Sequence, residues 1–194
     1  LSDQSLNCYK RNHQPFTEYK ERSIMPKLTD NEVEEFLSER GHLARIGTVD
    51  ADGMPRVLPL WFIIRGDELL FTPRSPAIIW KNIERDPRVG ISIDEEADPW
   101  RKVSVQGRVV VKYQPGNDDA WREIYRDIAK RYVPDAAADG YVDGTDDQPR
   151  ALCAVSLSAP TTKIVTWRMP VAGEDPRGVW AKRYFLPGTK WSDR

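Results

Sequence analysis

The sequence predicts a mainly β fold of the α+β class, an antiparallel β-barrel of six or seven strands with flanking helices. Short apolar runs rich in β-branched and aromatic residues recur along the chain, and turn residues separate most of them. Apolar residues at helical spacing occur in only two or three segments. Because short turns join neighbouring strands in antiparallel order, many short strands with few helices favour a small barrel.

Composition limits the possible partners. The chain has 194 residues, a formal net charge of −1, two cysteines and two histidines. Without a cationic excess, we expect no nucleic-acid partner, and without a long apolar run, no membrane association. Few cysteines favour a reducing cytoplasm. No Cys/His pair has metal-ligand spacing, so we predict no metal site.

We divide the chain into three parts. The polar, aperiodic residues 1–27 are predicted to be an N-terminal arm, residues 28–169 the barrel domain, and residues 170–194 a C-terminal tail. The first helix is predicted to begin at Thr29, because Thr29 and Glu32 have the spacing of a capping box.

The next residues predict three consecutive strands. Strand one covers residues 42–49, and the Asp52-Gly53 turn leads into strand two, residues 56–64. Strand two is apolar on both faces, so we expect it to be central and covered on both sides. Pro59 predicts a bulge or an unpaired edge within it, since proline has no N–H. Strand three covers residues 68–72.

A short helix follows strand three. Ser75 is predicted to cap it, Pro76 to be its first residue, and Asp86-Pro87 to end it. The remaining elements are strands at 89–94 and 103–111, a helix at 117–132, a mobile Asp- and Gly-rich loop at 134–149, and strands at 151–157 and 163–168.

Six short motifs carry a resemblance to a known family. They are Gly47-Thr48-Val49-Asp50-x-Asp52-Gly53-x-Pro55, Pro59-Leu60-Trp61-Phe62, Leu70-Phe71-Thr72, Asn82-Ile83-x-x-Asp86-Pro87-Arg88-Val89, Val103-x-Val105-x-Gly107 and Lys163-Ile164-x-x-Trp167. In this order, the chain resembles the flavin-binding split barrels of the pyridoxamine 5'-phosphate oxidase family. The resemblance implies a six-stranded split barrel that forms a homodimer with two cofactor sites between the subunits. Members bind FMN or the deazaflavin coenzyme F420, and a few bind haem.

The resemblance also implies which residues hold the cofactor. The ring would lie along strand two, where backbone N–H and C=O groups reach its pyrimidine edge, at Arg56, Val57, Leu58, Pro59, Leu60 and Trp61. Thr72 would approach the phosphate or the ribityl chain. Trp61 and Trp80 are candidates for ring stacking, although core or interface packing is the more common use of tryptophan.

The chain departs from the family pattern where the phosphate is expected. Ala77, Ile78 and Ile79 replace the usual Ser-Arg-Lys run, and Lys102 replaces a glutamine of the oxidase subfamily. A phosphate dianion needs several charged or N–H donors. The cationic and polar candidates that remain are Arg74, Ser75, Lys81 and Lys102.

These residues favour a flavin- or deazaflavin-dependent oxidoreductase. It would transfer a hydride to or from a small conjugated carbonyl, quinone or nitro compound, with FMN as the first cofactor candidate and F420 as the alternative. No acid–base pair stands out in the sequence. This is expected for such an enzyme, because the ring carries the chemistry. Tyr125, Tyr132 or solvent would supply protons.

Two alternatives remain open. One is a non-catalytic flavin- or haem-binding protein, in which His13 or His42 would be the axial haem ligand. The other is a split barrel without a cofactor, in which Ile78 and Ile79 fill the site. Oxidation of pyridoxamine phosphate itself is not expected, because no histidine follows Trp167.

Overall fold

The computed structural model describes residues 26–174. The elements are, in order, α1 (Asp30–Ser38), β1 (Ala44–Val49), β2 (Pro55–Leu60), β3 (Phe62–Arg65), β4 (Glu68–Phe71), α2 (Ile78–Arg85), β5 (Arg88–Asp94), β6 (Lys102–Arg108), β7 (Val110–Tyr113), a 3₁₀ turn (Asp118–Trp121), α3 (Arg122–Lys130), α4 (Asp135–Asp143), β8 (Leu152–Ser156) and β9 (Lys163–Trp167). They confirm the predicted α+β class.

Two antiparallel sheets enclose one core. The first has the strand order β2-β1-β5-β6-β9 and the second has the order β3-β4-β8-β7. Ile46 and Val103 from the first sheet share a buried cluster with Phe62 and Phe71 from the second. Because both sheets face the same interior, the fold is a split barrel.

A helical layer covers the second sheet. Tyr125 and Ile128 of α3 and Val142 of α4 pack against Ile63 and Leu152 in a second buried cluster. This layer stands beside the end of β4, where it borders the candidate site. In residues 26–174, no helix combines the length and the apolar character needed to cross a membrane.

Strand two is not central, so that prediction is wrong. β2 is the edge strand of the first sheet, and its residues alternate between exposed and half-buried. The chain leaves this sheet at Trp61 and enters the second sheet at Phe62. The edge position explains Pro59, which has no N–H to offer a further strand. A similar break at Val109 divides β6 from β7, and the two breaks give nine strands.

The loop predicted for residues 134–149 is also wrong in its first half. Residues 135–143 form α4, which begins directly after Pro134. Ala138 and Val142 are four residues apart and fully buried, and this helical spacing anchors α4 on α3. The sequence between them contains Asp and Gly, which hid the pattern.

The start of the short helix lies later than predicted. α2 begins at Ile78, with Ala77 as a cap residue that makes no side-chain hydrogen bond. Ser75 does not cap it; its N–H donates to the Pro149 carbonyl at 3.0 Å. The backbone before α2 is therefore used to pair with the segment that leads into β8.

The ends of α1 and α2 agree with the local sequence. Thr29 Oγ1 accepts from the Glu32 N–H at 3.3 Å, and the Glu32 carboxylate accepts from the Thr29 N–H at 2.7 Å, which confirms the capping box. The cap after α2 is Asp86, as predicted.

Candidate functional site

A cleft of about 310 Å³ lies between the edge strand β2, the β4–α2 loop and the helical layer. Its wall is mainly apolar, with two arginines and two tyrosines at one end. The lining residues are Leu58, Pro59, Leu60, Trp61, Thr72, Pro73, Arg74, Ala77, Ile79, Tyr125, Tyr141 and Arg150.

The sheet register explains why two separate segments meet here. Phe62 pairs with Phe71, so the residue before β3, Trp61, and the residue after β4, Thr72, lie at the same end of the second sheet. Six residues proposed from the sequence line the cleft together: Leu58, Pro59, Leu60, Trp61, Thr72 and Arg74.

Two residues of β2 lie elsewhere. The Arg56 guanidinium donates to the Asp50 carboxylate, with Nη2 to Oδ2 at 2.6 Å. Asn82 donates to the same carboxylate at 2.7 Å. These hydrogen bonds from Arg56 and Asn82 lower the pKa of Asp50 to about 2. Val57 is 62% exposed and does not line the cleft.

The other four proposed residues also lie outside the cleft lining. Trp80 is 3% exposed and belongs to the barrel core. Lys81 is exposed, and Ser75 contributes its N–H to Pro149. Lys102 is on β6, where its Nζ lies 5.8 Å from the centroid of the Trp167 ring.

Trp61 forms a fixed aromatic wall. Its ring stacks on Tyr132 with centroids 4.9 Å apart and an interplanar angle of 3°. The Tyr132 hydroxyl accepts from the Phe62 N–H at 3.1 Å and donates to the His42 carbonyl at 2.7 Å. Of the two tyrosines proposed as proton sources, Tyr132 therefore holds Trp61 in place. The other, Tyr125, lines the cleft.

At the other end of the cleft, four side chains form what we call the arginine–tyrosine cluster: Arg74, Arg150, Tyr125 and Tyr141. Arg74 and Arg150 face each other across an isolated antiparallel β-bridge. Each donates from Nη2 to the Tyr141 hydroxyl oxygen at 3.3 Å. The Arg150 guanidinium lies over the Tyr125 ring, 4.5 Å from its centroid.

The two arginines of this cluster carry positive charge that no ion pair with a described residue offsets. Within residues 26–174, no carboxylate oxygen lies within 4.0 Å of either guanidinium. Burial raises the pKa of Tyr141, but hydrogen bonds from Tyr125 and the arginines outweigh it, so its pKa is lowered overall. Burial raises the pKa of Tyr125.

Sequence reasoning did not assign Tyr141 or Arg150 to a site. The helical spacing of Ala138, Tyr141 and Val142 is the pattern that identifies α4 in retrospect. Arg150 has no comparable local pattern, because its position depends on the long-range bridge to Arg74.

One group in the described part of the chain has metal-ligand spacing. Ligand atoms of Glu39, His42 and Glu95 lie within 4.8 Å of one another. However, Arg101 donates to both carboxylates at 2.7–2.8 Å, so its guanidinium already takes the place that a metal ion would occupy. His42 is bonded to Glu39 at 3.0 Å and does not line the cleft; His13 lies outside the described residues.

A sequence model of the pyridoxamine 5'-phosphate oxidase family matches residues 29–159, a range that contains the whole cleft lining and every strand except β9. The chain belongs to this family. A search of curated proteins gave no match.

Several solved structures share the fold of this chain. A conserved hypothetical protein from Mycobacterium tuberculosis has a TM-score of 0.58 and 18% identity, over 88% of this chain and 99% of that one. The haem storage protein HutZ from Vibrio cholerae has a TM-score of 0.54 and 20% identity, over 70% and 94%. An FAD-binding protein from Mesorhizobium loti has a TM-score of 0.51 and 18% identity, over 75% and 98%.

Proposed function

We propose that this chain binds FMN, or alternatively the deazaflavin coenzyme F420, in the cleft and acts as an oxidoreductase. It would transfer a hydride to or from a small conjugated carbonyl, quinone or nitro compound. One observation carries the proposal: the ring-lining candidates Leu58 to Trp61 and the phosphate candidates Thr72 and Arg74 come from separate segments and line a single cleft.

The chemistry of the cleft suits a flat ring with an anionic tail. The apolar wall of β2 and Ile79 matches the faces of a tricyclic ring. Because β2 is an edge strand, alternate backbone N–H and C=O groups point away from β1 and can bind the polar edge of the ring. The cationic end supplies donors for an anion.

The bound ring would supply the hydride chemistry, and the chain would supply position and shielding from water. Trp61 is held by Tyr132, so it gives the cleft a rigid boundary. Asn82 of α2 donates to Thr48 of β1 at 3.1 Å and to Asp50 just after it at 2.7 Å, which ties α2, and the preceding loop that carries Arg74, to the first sheet.

We further propose that a second copy of the chain completes the site. Val57 on β2, an edge strand of the first sheet, is 62% exposed, and an exposed apolar edge strand favours association. The cleft borders this edge, so a partner subunit packed there would shield a bound ring from water.

The absorbance spectrum of the purified protein, followed by titration with FMN and F420, tests the proposal. Binding with a shifted flavin or deazaflavin spectrum, together with a dimeric mass by light scattering, is the expected result. A haem spectrum would favour the haem-binding alternative. Absence of binding to all three at saturating concentration would leave only the split barrel. Turnover of a quinone and nitro-compound panel with reduced cofactor then separates an enzyme from a carrier.

A further inference from the structure

The arginine–tyrosine cluster contains a buried cation, Arg150, whose guanidinium forms no ion pair within residues 26–174; the Asp118 carboxylate accepts from its backbone N–H instead, at 2.8 Å. Arg150 is 6% exposed, and its one side-chain hydrogen bond within residues 26–174 is the 3.3 Å contact with Tyr141. Its Nε atom is buried without a hydrogen-bond partner among the described residues. Burying an uncompensated charge is costly unless something else pairs with it, so this arrangement points to a ligand.

The donors of the cluster converge. Arg74 and Arg150 both donate to the Tyr141 oxygen, which occupies its lone pairs and leaves its O–H free to donate elsewhere. The remaining N–H groups of two guanidiniums therefore lie beside one phenol O–H. Charge-assisted donors grouped in this way match the oxygens of a phosphate or a carboxylate.

We propose that Arg74, Arg150 and Tyr141 form an oxyanion subsite at the arginine–tyrosine end of the cleft. The inference rests on the proposed function, because the ligand that carries the oxyanion occupies the same cleft. It assigns new roles to Arg150 and Tyr141. Ile78 and Ile79 stand where the family usually has Arg and Lys, and in this proposal Arg150, from the segment before β8, supplies positive charge in their place. The oxyanion belongs either to the cofactor tail or to an acidic substrate.

The first test compares FMN with riboflavin, which has the same ring and no phosphate. The wild-type protein should bind FMN at least about tenfold more tightly, and Arg150→Gln should lower FMN affinity about 10- to 100-fold, the range for a lost charge-assisted hydrogen bond. Riboflavin affinity should stay unchanged, which also shows that the variant folds. Arg150→Lys should keep part of the preference, since it retains the charge without the planar fork.

Arg122→Gln is the matched control. Arg122 is a largely buried arginine of the same layer, but it pairs with Asp119 at 2.7 Å and does not line the cleft. Its substitution should leave the ratio of FMN to riboflavin affinities unchanged. If the protein binds F420 instead, the comparison uses F420 and its chromophore without the tail.

A second arm separates the two sources of the oxyanion. If Arg150→Gln leaves the FMN preference intact, protein saturated with riboflavin is titrated with inorganic phosphate and benzoate. Binding by the wild type that Arg150→Gln abolishes would assign the subsite to an acidic substrate. If neither anion binds and the preference is unchanged, the inference is overturned while ring binding, and hence the proposed function, survives.

If no ring compound binds, the proposed function fails, but the subsite can still be measured. Inorganic phosphate should then raise the thermal unfolding temperature of the wild type and not that of Arg150→Gln or Tyr141→Phe. Equal shifts in all three proteins would sink the subsite as well.

Discussion

Arg101 and Arg150 are both shielded from solvent and both lie against an aromatic ring, but only Arg101 is paired with carboxylates. Each guanidinium lies over an aromatic ring, Arg101 at 4.8 Å from the Phe36 centroid and Arg150 at 4.5 Å from the Tyr125 centroid. Arg101 forms ion pairs with Glu39 and Glu95, both at 2.7 Å. Among the described residues, the Arg150 guanidinium donates only to a neutral phenol, while the Arg150 backbone N–H donates to the Asp118 carboxylate at 2.8 Å.

The difference separates an arginine that holds the fold together from one that is available to a ligand. Arg101, Glu39 and Glu95 link the end of α1 to the segment between β5 and β6, and the N–H donors of Arg101 bind the two carboxylates. The arginine–tyrosine cluster borders the cleft, and its guanidinium N–H donors bind no carboxylate of the described residues. Net charge at each cluster, rather than burial, makes the distinction, and the following substitutions test it.

The largest effect on stability is expected for Arg101→Gln. Removing the cation leaves Glu39 and Glu95 facing each other near the surface of the barrel, which should lower the free energy of unfolding by about 2 kcal/mol, discounted for the partial exposure of Glu39. Urea unfolding measures it. Adding Glu95→Gln should recover part of the loss; a double variant no better than the single one would contradict this account.

The next effect concerns phosphate. An anion that binds the folded protein alone stabilises it by RT ln(1 + [L]/Kd), or about 1.4 kcal/mol at ten times Kd. Inorganic phosphate should therefore raise the urea midpoint of the wild type and of Arg101→Gln, but not that of Arg150→Met. A matched chloride series at equal ionic strength is the control for screening. Stabilisation of Arg150→Met by phosphate would erase the contrast between the two arginines.

A smaller effect is expected when phosphate is absent. Arg150→Met removes a buried charge whose burial costs free energy, but it also removes a cation–π contact of about 1 kcal/mol. The two changes oppose each other, so the free energy of unfolding should stay within about 1 kcal/mol of the wild type. A loss as large as that of Arg101→Gln would mean that Arg150 is a structural residue.

Acidity should distinguish the clusters further. Hydrogen bonds from Arg101 lower the pKa of Glu39 and of Glu95 below the ordinary value of 4.5. A lowered folded-state pKa stabilises the protein above the unfolded pKa, and this contribution is lost as the pH falls through the folded-state pKa. The stability gap between wild type and Arg101→Gln should thus be full at neutral pH and close below pH 4.5. The small gap for Arg150→Met should not follow these carboxyl groups.

Local features of the fold were predictable from the sequence, whereas the long-range contacts of the arginine–tyrosine cluster were not. Local patterns predicted the capping box of Thr29 and Glu32 and the end of α2 at Asp86, because each depends on neighbours within one turn. The resemblance to the family proposed Leu58 to Trp61 and Thr72, which line the cleft. Arg150 was missed because a bridge between residues 76 positions apart in the chain, Arg74 and Arg150, brings it into the cleft, and no local spacing encodes that pairing.

The smallest expected effect concerns Tyr141 and probes the charge of the arginine–tyrosine cluster directly. Because hydrogen bonds and positive charge from its neighbours outweigh burial, the pKa of Tyr141 lies below the ordinary value of 10.0. Alkaline titration followed by tyrosinate absorbance should show one early-ionising tyrosine, and Tyr141→Phe should remove it while changing stability by less than about 0.5 kcal/mol.

Bound phosphate adds negative charge beside the Tyr141 phenol, so it should raise the pKa of Tyr141 in the wild type and in Arg101→Gln. In Arg150→Met the early ionisation should move upward without phosphate, since one of the two guanidiniums that favour the phenolate is gone. If neither phosphate nor the Arg150→Met substitution changes the pKa of the early-ionising tyrosine, that tyrosine is not Tyr141. The positive potential proposed for the arginine–tyrosine cluster would then lack support.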